Sequence, residues 1–141
     1  MTRGSASRVW QPWGVDFPEV PSRVERAVRR ICSTLPEIVE KATDFGTTFA
    51  IRRRVFAHLF AMEDPDGRQP TMLVIRADPI ERLALLAAGH PFFRTASSED
   101  RVGVVLEDGT DWTEIEELVT ESYRLTAPKQ LAAQLDTPAP G

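Results

Sequence analysis

A chain of 141 residues, 42% hydrophobic and 27% charged, is long enough for one domain with a sizeable core, and this composition excludes wholesale disorder. No apolar run approaches the roughly 18 residues that span a bilayer, and the first residues lack the apolar segment of a secretory signal. The net charge of −4 conceals an asymmetry: residues 1–60 carry ten Lys/Arg against six Asp/Glu, and the remainder seven against fifteen, which leaves room for a basic face on an acidic domain.

Cys32 is the only cysteine, so an intramolecular disulfide is excluded and a cytoplasmic location is expected. Residues 1–21 hold Pro12, Pro18 and Pro21 with Trp10, Trp13 and Phe17, and read as an extended N-terminal arm. Ser22 with Glu25 has the spacing of a capping box and predicts a helix. Val24, Ala27, Val28, Ile31 and Leu35 form its apolar stripe, Arg23, Arg26, Arg29 and Arg30 point away, and Pro36 ends it.

Two β-rich runs follow, Thr47–Ile51 and Val55–Met62, joined by Arg52, Arg53 and Arg54. Alternation places Thr47, Phe49 and Ile51 on one face of the first strand, and Phe56, His58, Phe60 and Met62 on one face of the second. A two-residue turn at Arg53 and Arg54 would hold arginine at positive φ without Gly or Asn, which favours a longer turn. The Glu63 to Gly67 turn leads to a third strand, Pro70–Ala77, apolar on both faces. Asp78 caps a second helix to Ala88, with Ile80, Leu83, Ala84, Leu86 and Ala87 expected inward and Gly89 as its stop.

His90–Arg94 and Val102–Glu107 read as two more strands. The last long helix starts near Asp111 and directs Trp112, Ile115, Leu118, Val119 and Ser122 inward, with Glu114, Glu116, Glu117 and Glu121 outside. Pro128 opens a short helix to about Leu135, and residues 136–141 are a tail. The order α-β-β-β-α-β-β-α predicts one α+β domain over residues 22–135, two-layered, with a mainly antiparallel sheet and helices on one face.

Leu35-Pro36-Glu37 with Glu40-Lys41, Thr48 to Arg52 with Val55-Phe56-Ala57, the helix after Asp78-Pro79, Pro91-Phe92-Phe93 and Trp112 carry a resemblance over residues 24–135. Its most specific piece is the ending Ser122-Tyr123-Arg124-Leu125-Thr126-Ala127-Pro128-Lys129. On these motifs the chain resembles the MmcQ/YjbR family of small bacterial proteins. It departs where the family commonly has a Trp-Gly pair, here Thr43-Asp44-Phe45-Gly46, and in the arginine turn. The resemblance implies the topology above, and a DNA-binding assignment that rests on fold analogy with winged proteins.

The residues point to binding rather than catalysis. Arg52, Arg53 and Arg54 on a protruding hairpin, with Lys41, could replace the counterions of a nucleic-acid backbone, although alternation sends Arg53 to the side opposite Arg52 and Arg54. His58 reads as a half-buried strand histidine and His90 as a turn residue. Asp64 and Asp66 read as turn residues, and no familiar metal spacing, phosphate loop or nucleophile elbow occurs, so neither metal nor cofactor is predicted. A second reading is a peptide- or protein-binding module, since the layout resembles secretion-chaperone folds; it requires Phe56, His58 and Phe60 together on an exposed sheet face. A third is a small-molecule site formed by Lys41, Tyr123 and Lys129.

Overall fold

The computed structural model describes residues 18–95 and 99–135. Most of the predicted arm, with Trp10, Trp13 and Phe17, and the tail lie outside the described residues. Ser22 is the first residue of helix α1 (Ser22–Cys32) rather than its cap; Pro21 occupies the cap position and no side chain caps the helix, so the predicted capping box is not formed. The stripe is nonetheless real. Val24, Val28 and Cys32 are buried, and Leu35 is buried beyond the helix end.

An unpredicted strand comes next. β1 (Val39–Thr43) pairs antiparallel with β2 (Gly46–Ile51). Every residue of β1 is exposed, so its sequence VEKAT has no buried face to leave an alternating signature. Gly46 is required at the connecting turn: its φ is 109°, and a Cβ there would lie 2.2 Å from the Leu59 carbonyl oxygen.

β3 (Arg54–Ala61) follows, then β4 (Thr71–Arg76), helix α2 (Pro79–Ala88), β5 (Phe92–Arg94), β6 (Arg101–Leu106), helix α3 (Trp112–Thr126) and helix α4 (Lys129–Gln134). The six strands form one antiparallel sheet in the order β1-β2-β3-β4-β6-β5. Its inner face carries Phe49, Ile51, Leu59, Leu73, Ile75, Val102 and Val104, all packed in one core with Val28, Ile115, Val119 and Tyr123 from the helices. The α+β, two-layer expectation holds.

The expected alternation in β3 breaks at one place. Phe49 pairs with Ala57 but Ala50 pairs with Val55, so Phe56 is an extra residue, a β-bulge. Phe56 and Ala57 are consequently both buried inward, while His58, Phe60 and Met62 are half-buried on the other side. Phe56 therefore does not share a face with His58 and Phe60, which removes the arrangement required by the protein-binding reading as predicted.

The turn between β2 and β3 is a second departure. Ile51 pairs with Arg54, so the two turn residues are Arg52 and Arg53, with φ of 50° and 71°. Both arginines adopt the left-handed region of a primed hairpin turn, which L side chains enter at a cost.

Helix α2 is capped as predicted: Asp78 Oδ1 accepts from the backbone N–H of Ile80 and of Glu81, each at 3.0 Å. Its buried residues, however, are Arg82 and Leu85, and the Ile80 and Leu83 side chains face solvent at 81% and 63% exposure. Arg82 explains part of this orientation, since its Nε donates to the Arg101 carbonyl at 2.8 Å and turns that side of the helix toward β6.

Candidate functional site

Alternation along β1 and β2 sets Lys41 and Thr48 opposite each other on the outer face, the one away from the helices. Val39, Lys41, Thr43, Thr48, Ala50, Arg53 and Val55 line a hollow of about 430 Å³ on that side. Two cations beside an apolar floor can take up an anionic group with a flat or aliphatic body, while the Thr43 hydroxyl donates to the Gly46 carbonyl. Two of the four residues predicted for nucleic-acid contact, Lys41 and Arg53, are thus brought together.

The other two go elsewhere. Arg52 pairs with Glu37, its Nη2 lying 2.9 Å from Oε1, so its charge is partly neutralised by the loop between α1 and β1. Arg54 is exposed at the start of β3, near enough to Arg76 to act on its charge. Arg53 therefore separates from Arg52, and Arg52 from Arg54, so the three arginines do not act as one cluster.

Tyr123, Lys129 and Lys41 do not line one cavity. Tyr123 is fully buried on the inner side, packed edge-to-face on Phe56, and its hydroxyl donates to the Pro36 carbonyl at 2.6 Å. Burial raises its pKa, with Glu37 adding to the effect. Lys129 is exposed at the start of α4, and Lys41 is on the opposite face of the sheet.

Ser122 has a role that its sequence position concealed. Its hydroxyl donates to the Phe56 carbonyl at 2.5 Å and accepts from the Arg76 N–H at 2.9 Å. The bulge leaves these two backbone groups without a ladder bond, and the helix supplies the missing link. The paired Ser122 and Tyr123 thus stitch α3 to the sheet and to the α1–β1 loop.

On the outer face, the row Lys41, Thr48, His58, Val74, Gly103, Phe93 crosses all six strands by register. The Phe93 ring lies over Gly103, where a Cβ would stand 2.2 Å from the ring. His58 Nε2 is 2.8 Å from the Phe45 carbonyl oxygen, and its ring lies 4.8 Å from that of Phe60. Burial lowers the His58 pKa, helped by the Arg101 charge and opposed by the Phe45 bond. The imidazole is thereby biased to the neutral form. His90, in the turn before β5, meets Glu107 at 2.8 Å.

Arg76 and Arg101 stand opposite each other in the next row of the outer face, at register partners of β4 and β6. Sequence reading missed this pair, since 24 positions that carry no shared motif separate the two residues and only the register joins them. Across the sheet, α3 is acidic, with Glu114, Glu116, Glu117 and Glu121 exposed, while α1 beside it exposes Arg23, Arg26, Arg29 and Arg30. Among the described residues no group of three His, Cys, Asp or Glu side chains could hold a metal ion, and no helix is long and apolar enough to cross a membrane.

Residues 33–125 match the model of the YjbR family. The chain belongs to the YjbR family. The match covers the sheet, the Lys41–Arg53 hollow and the Ser122–Tyr123 stitch, and begins inside the predicted range of residues 24–135. Among solved structures, this YjbR chain is similar to the crystal structure of Deinococcus radiodurans protein DR2400, of domain family DUF419, at 20% identity and a TM-score of 0.57. That likeness covers 79% of this chain and 86% of the other, and it shows a shared fold. No curated protein matches the sequence.

Proposed function

We propose that this YjbR-family chain is a non-catalytic binding domain that engages nucleic acid through the outer face of its sheet. One observation supports the reading: Lys41, Arg53, Arg76 and Arg101 share the outer face of the sheet, away from the glutamates of α3. A phosphate backbone is attracted to these cations and repelled by the α3 glutamates. The apolar and aromatic side chains between the cations, Val74, Met72 and Phe93, suit contact with bases or sugars more than with phosphates. DNA is the first polymer to test, in line with the assignment the family resemblance implies.

The experiment is fluorescence anisotropy of a labelled duplex and a labelled single strand at several salt concentrations, with the double variant Lys41→Ala/Arg53→Ala beside the parent. Binding that weakens steeply with salt, with a slope reduced by about two in the variant, is the expected outcome. No binding at 50 mM salt or below would sink the reading.

A protein partner is the second reading, favoured by Ile80 and Leu83 exposed on one side of α2. Pull-down of a partner by the parent chain and its loss in Leu83→Lys, with nucleic-acid binding absent in both, would move it to first place.

A further inference from the structure

Three side-chain polar atoms among the described residues are buried without a hydrogen-bond partner: Arg76 Nε, Arg101 Nε and Thr95 Oγ1. They are not scattered. Arg76 pairs with Arg101, and Arg94 with Val102, so the next position after Arg94 sets Thr95 beside Arg101. The three atoms thus belong to one cross-strand row on the outer face, each neighbour roughly 5 Å from the next at Cβ.

Such a row is unfavourable as it stands. Like charges directly opposite on one sheet face repel. Burial, with the Arg101 charge, pulls the Arg76 guanidinium below its ordinary pKa, opposed by Asp100 and aided by Arg54. Asp100 stands 3.9 Å from Arg101 Nε, too far for a hydrogen bond, and no ion pair reaches Arg76 among the described residues. Yet both arginines rise from backbone that is fixed from the helix side. Ser122 Oγ accepts from Arg76 N–H at 2.9 Å, and Arg82 Nε donates to the Arg101 carbonyl at 2.8 Å. The donors are preorganised, and beyond its buried Nε the Arg101 side chain remains 27% exposed, which gives a ligand an approach to the guanidinium.

We infer that Thr95, Arg101 and Arg76 form a binding site for a phosphate group. Three donors, from β4, β6 and the residue that follows β5, match a tetrahedral group with several acceptor oxygens better than a planar carboxylate with two. Guanidinium forks suit that geometry, and the Thr95 hydroxyl supplies a neutral donor at one end. The phosphate neutralises the like-charge pair and satisfies all three orphaned atoms at once. It comes from a small phosphate ester or from one unit of a nucleic-acid strand. The site lies on the β4–β6 side of the face, apart from the Lys41–Arg53 hollow, and stands whether or not a polymer binds there.

The test follows the arginine Nε–H resonances of the full ¹⁵N-labelled chain, assigned with Arg76→Lys and Arg101→Lys. Inorganic phosphate is added, then a thymidine decamer, each against chloride at equal ionic strength. Saturable shifts of both Nε–H signals with phosphate, weakened about tenfold or more in either lysine variant, are expected, since lysine keeps the charge but loses the fork. Shifts with phosphate but not with the decamer identify a small phosphorylated ligand and uphold the site while counting against the polymer reading. Shifts with both make the site one contact of a strand. Signals unmoved up to about 50 mM phosphate, or moved equally by chloride, overturn the inference, even if the decamer still binds through the Lys41–Arg53 hollow.

Discussion

At Arg52 and Arg53 the chain accepts positive φ at two adjacent residues that are neither Gly nor Asn. The Glu37 pair to Arg52 is half-exposed and contributes at most about 1 kcal/mol, so it does not obviously offset the turn. Replacing Arg52-Arg53 by Asn-Gly is expected to stabilise the fold by about 1 kcal/mol, read as a higher denaturant midpoint at unchanged slope. Nucleic-acid affinity should fall in the same variant, because Arg53 leaves the hollow. A stabilised variant with undiminished affinity would detach Arg53 from binding. Cys32 is a simpler case. It is fully buried, and burial pushes its thiol up to about 12, with Glu40 adding. Its reaction with a disulfide reagent at pH 8 should be slow and independent of reagent concentration at high reagent, limited by opening of the α1 end. The predicted stripe of Val24, Ala27, Val28, Ile31 and Leu35 omits Cys32, which the structure buries four residues beyond Val28. The conformation of the arginine turn was not legible in the sequence, since hydrophobic spacing cannot tell whether two or three residues join the strands.

Between elements, the hydroxyl of Ser122 is the contact with the largest expected effect. Ser122→Ala leaves the Phe56 carbonyl and the Arg76 N–H unpaired in a buried site, at a cost of about 2–4 kcal/mol, and should lower Tm by roughly 10 °C or more. Tyr123→Phe removes one bond to the Pro36 carbonyl and should cost about 1–2 kcal/mol. Equal effects of the two substitutions would argue against the bridging role of Ser122. The Ser-Tyr pair was legible as a motif, but its position suggested ligand contact for Tyr123, because the bulge that creates the need for Ser122 appears only when β3 and β2 are in register. Helix α2 teaches the complementary lesson. The spacing of Ile80, Leu83, Ala84 and Ala87 is helical, and a helix is present, yet its buried side is set by Arg82 and Leu85. Periodicity reports that one side is apolar, not that this side faces the core. Strand β1 was silent for the opposite reason, since a fully exposed edge strand has no burial pattern to display.

For the whole molecule, the mainly antiparallel pairing and the two layers followed from turn chemistry and apolar runs, whereas the spatial order of the six strands and the cationic pairing of Arg76 with Arg101 depend on long-range register. His58 lies at the centre of that face and responds to pH. Its folded-state pKa is lowered from the ordinary 6.5, so the unfolded chain binds the proton more readily. The contribution to stability is complete above 6.5 and is lost as pH falls below it, toward the depressed folded value. Denaturation at pH 7.5 and pH 5.5 should therefore show a larger loss in the parent than in His58→Gln; equal losses would mean that His58 titrates freely. Because Arg101 helps hold His58 neutral, Arg101→Met should narrow the difference.

The separation of the α3 carboxylates from the sheet-side cations also governs how the protein meets a charged solid. A chain of net charge −4 is ordinarily expected to pass through a cation exchanger at neutral pH. This one offers each resin a separate side of itself, so in low salt it should be retained by a sulfonate column and by a quaternary-amine column alike. It would lie sheet-down on the first and α3-down on the second, and reversing Lys41, Arg53, Arg76 and Arg101 to glutamate would weaken the first retention without reducing the second.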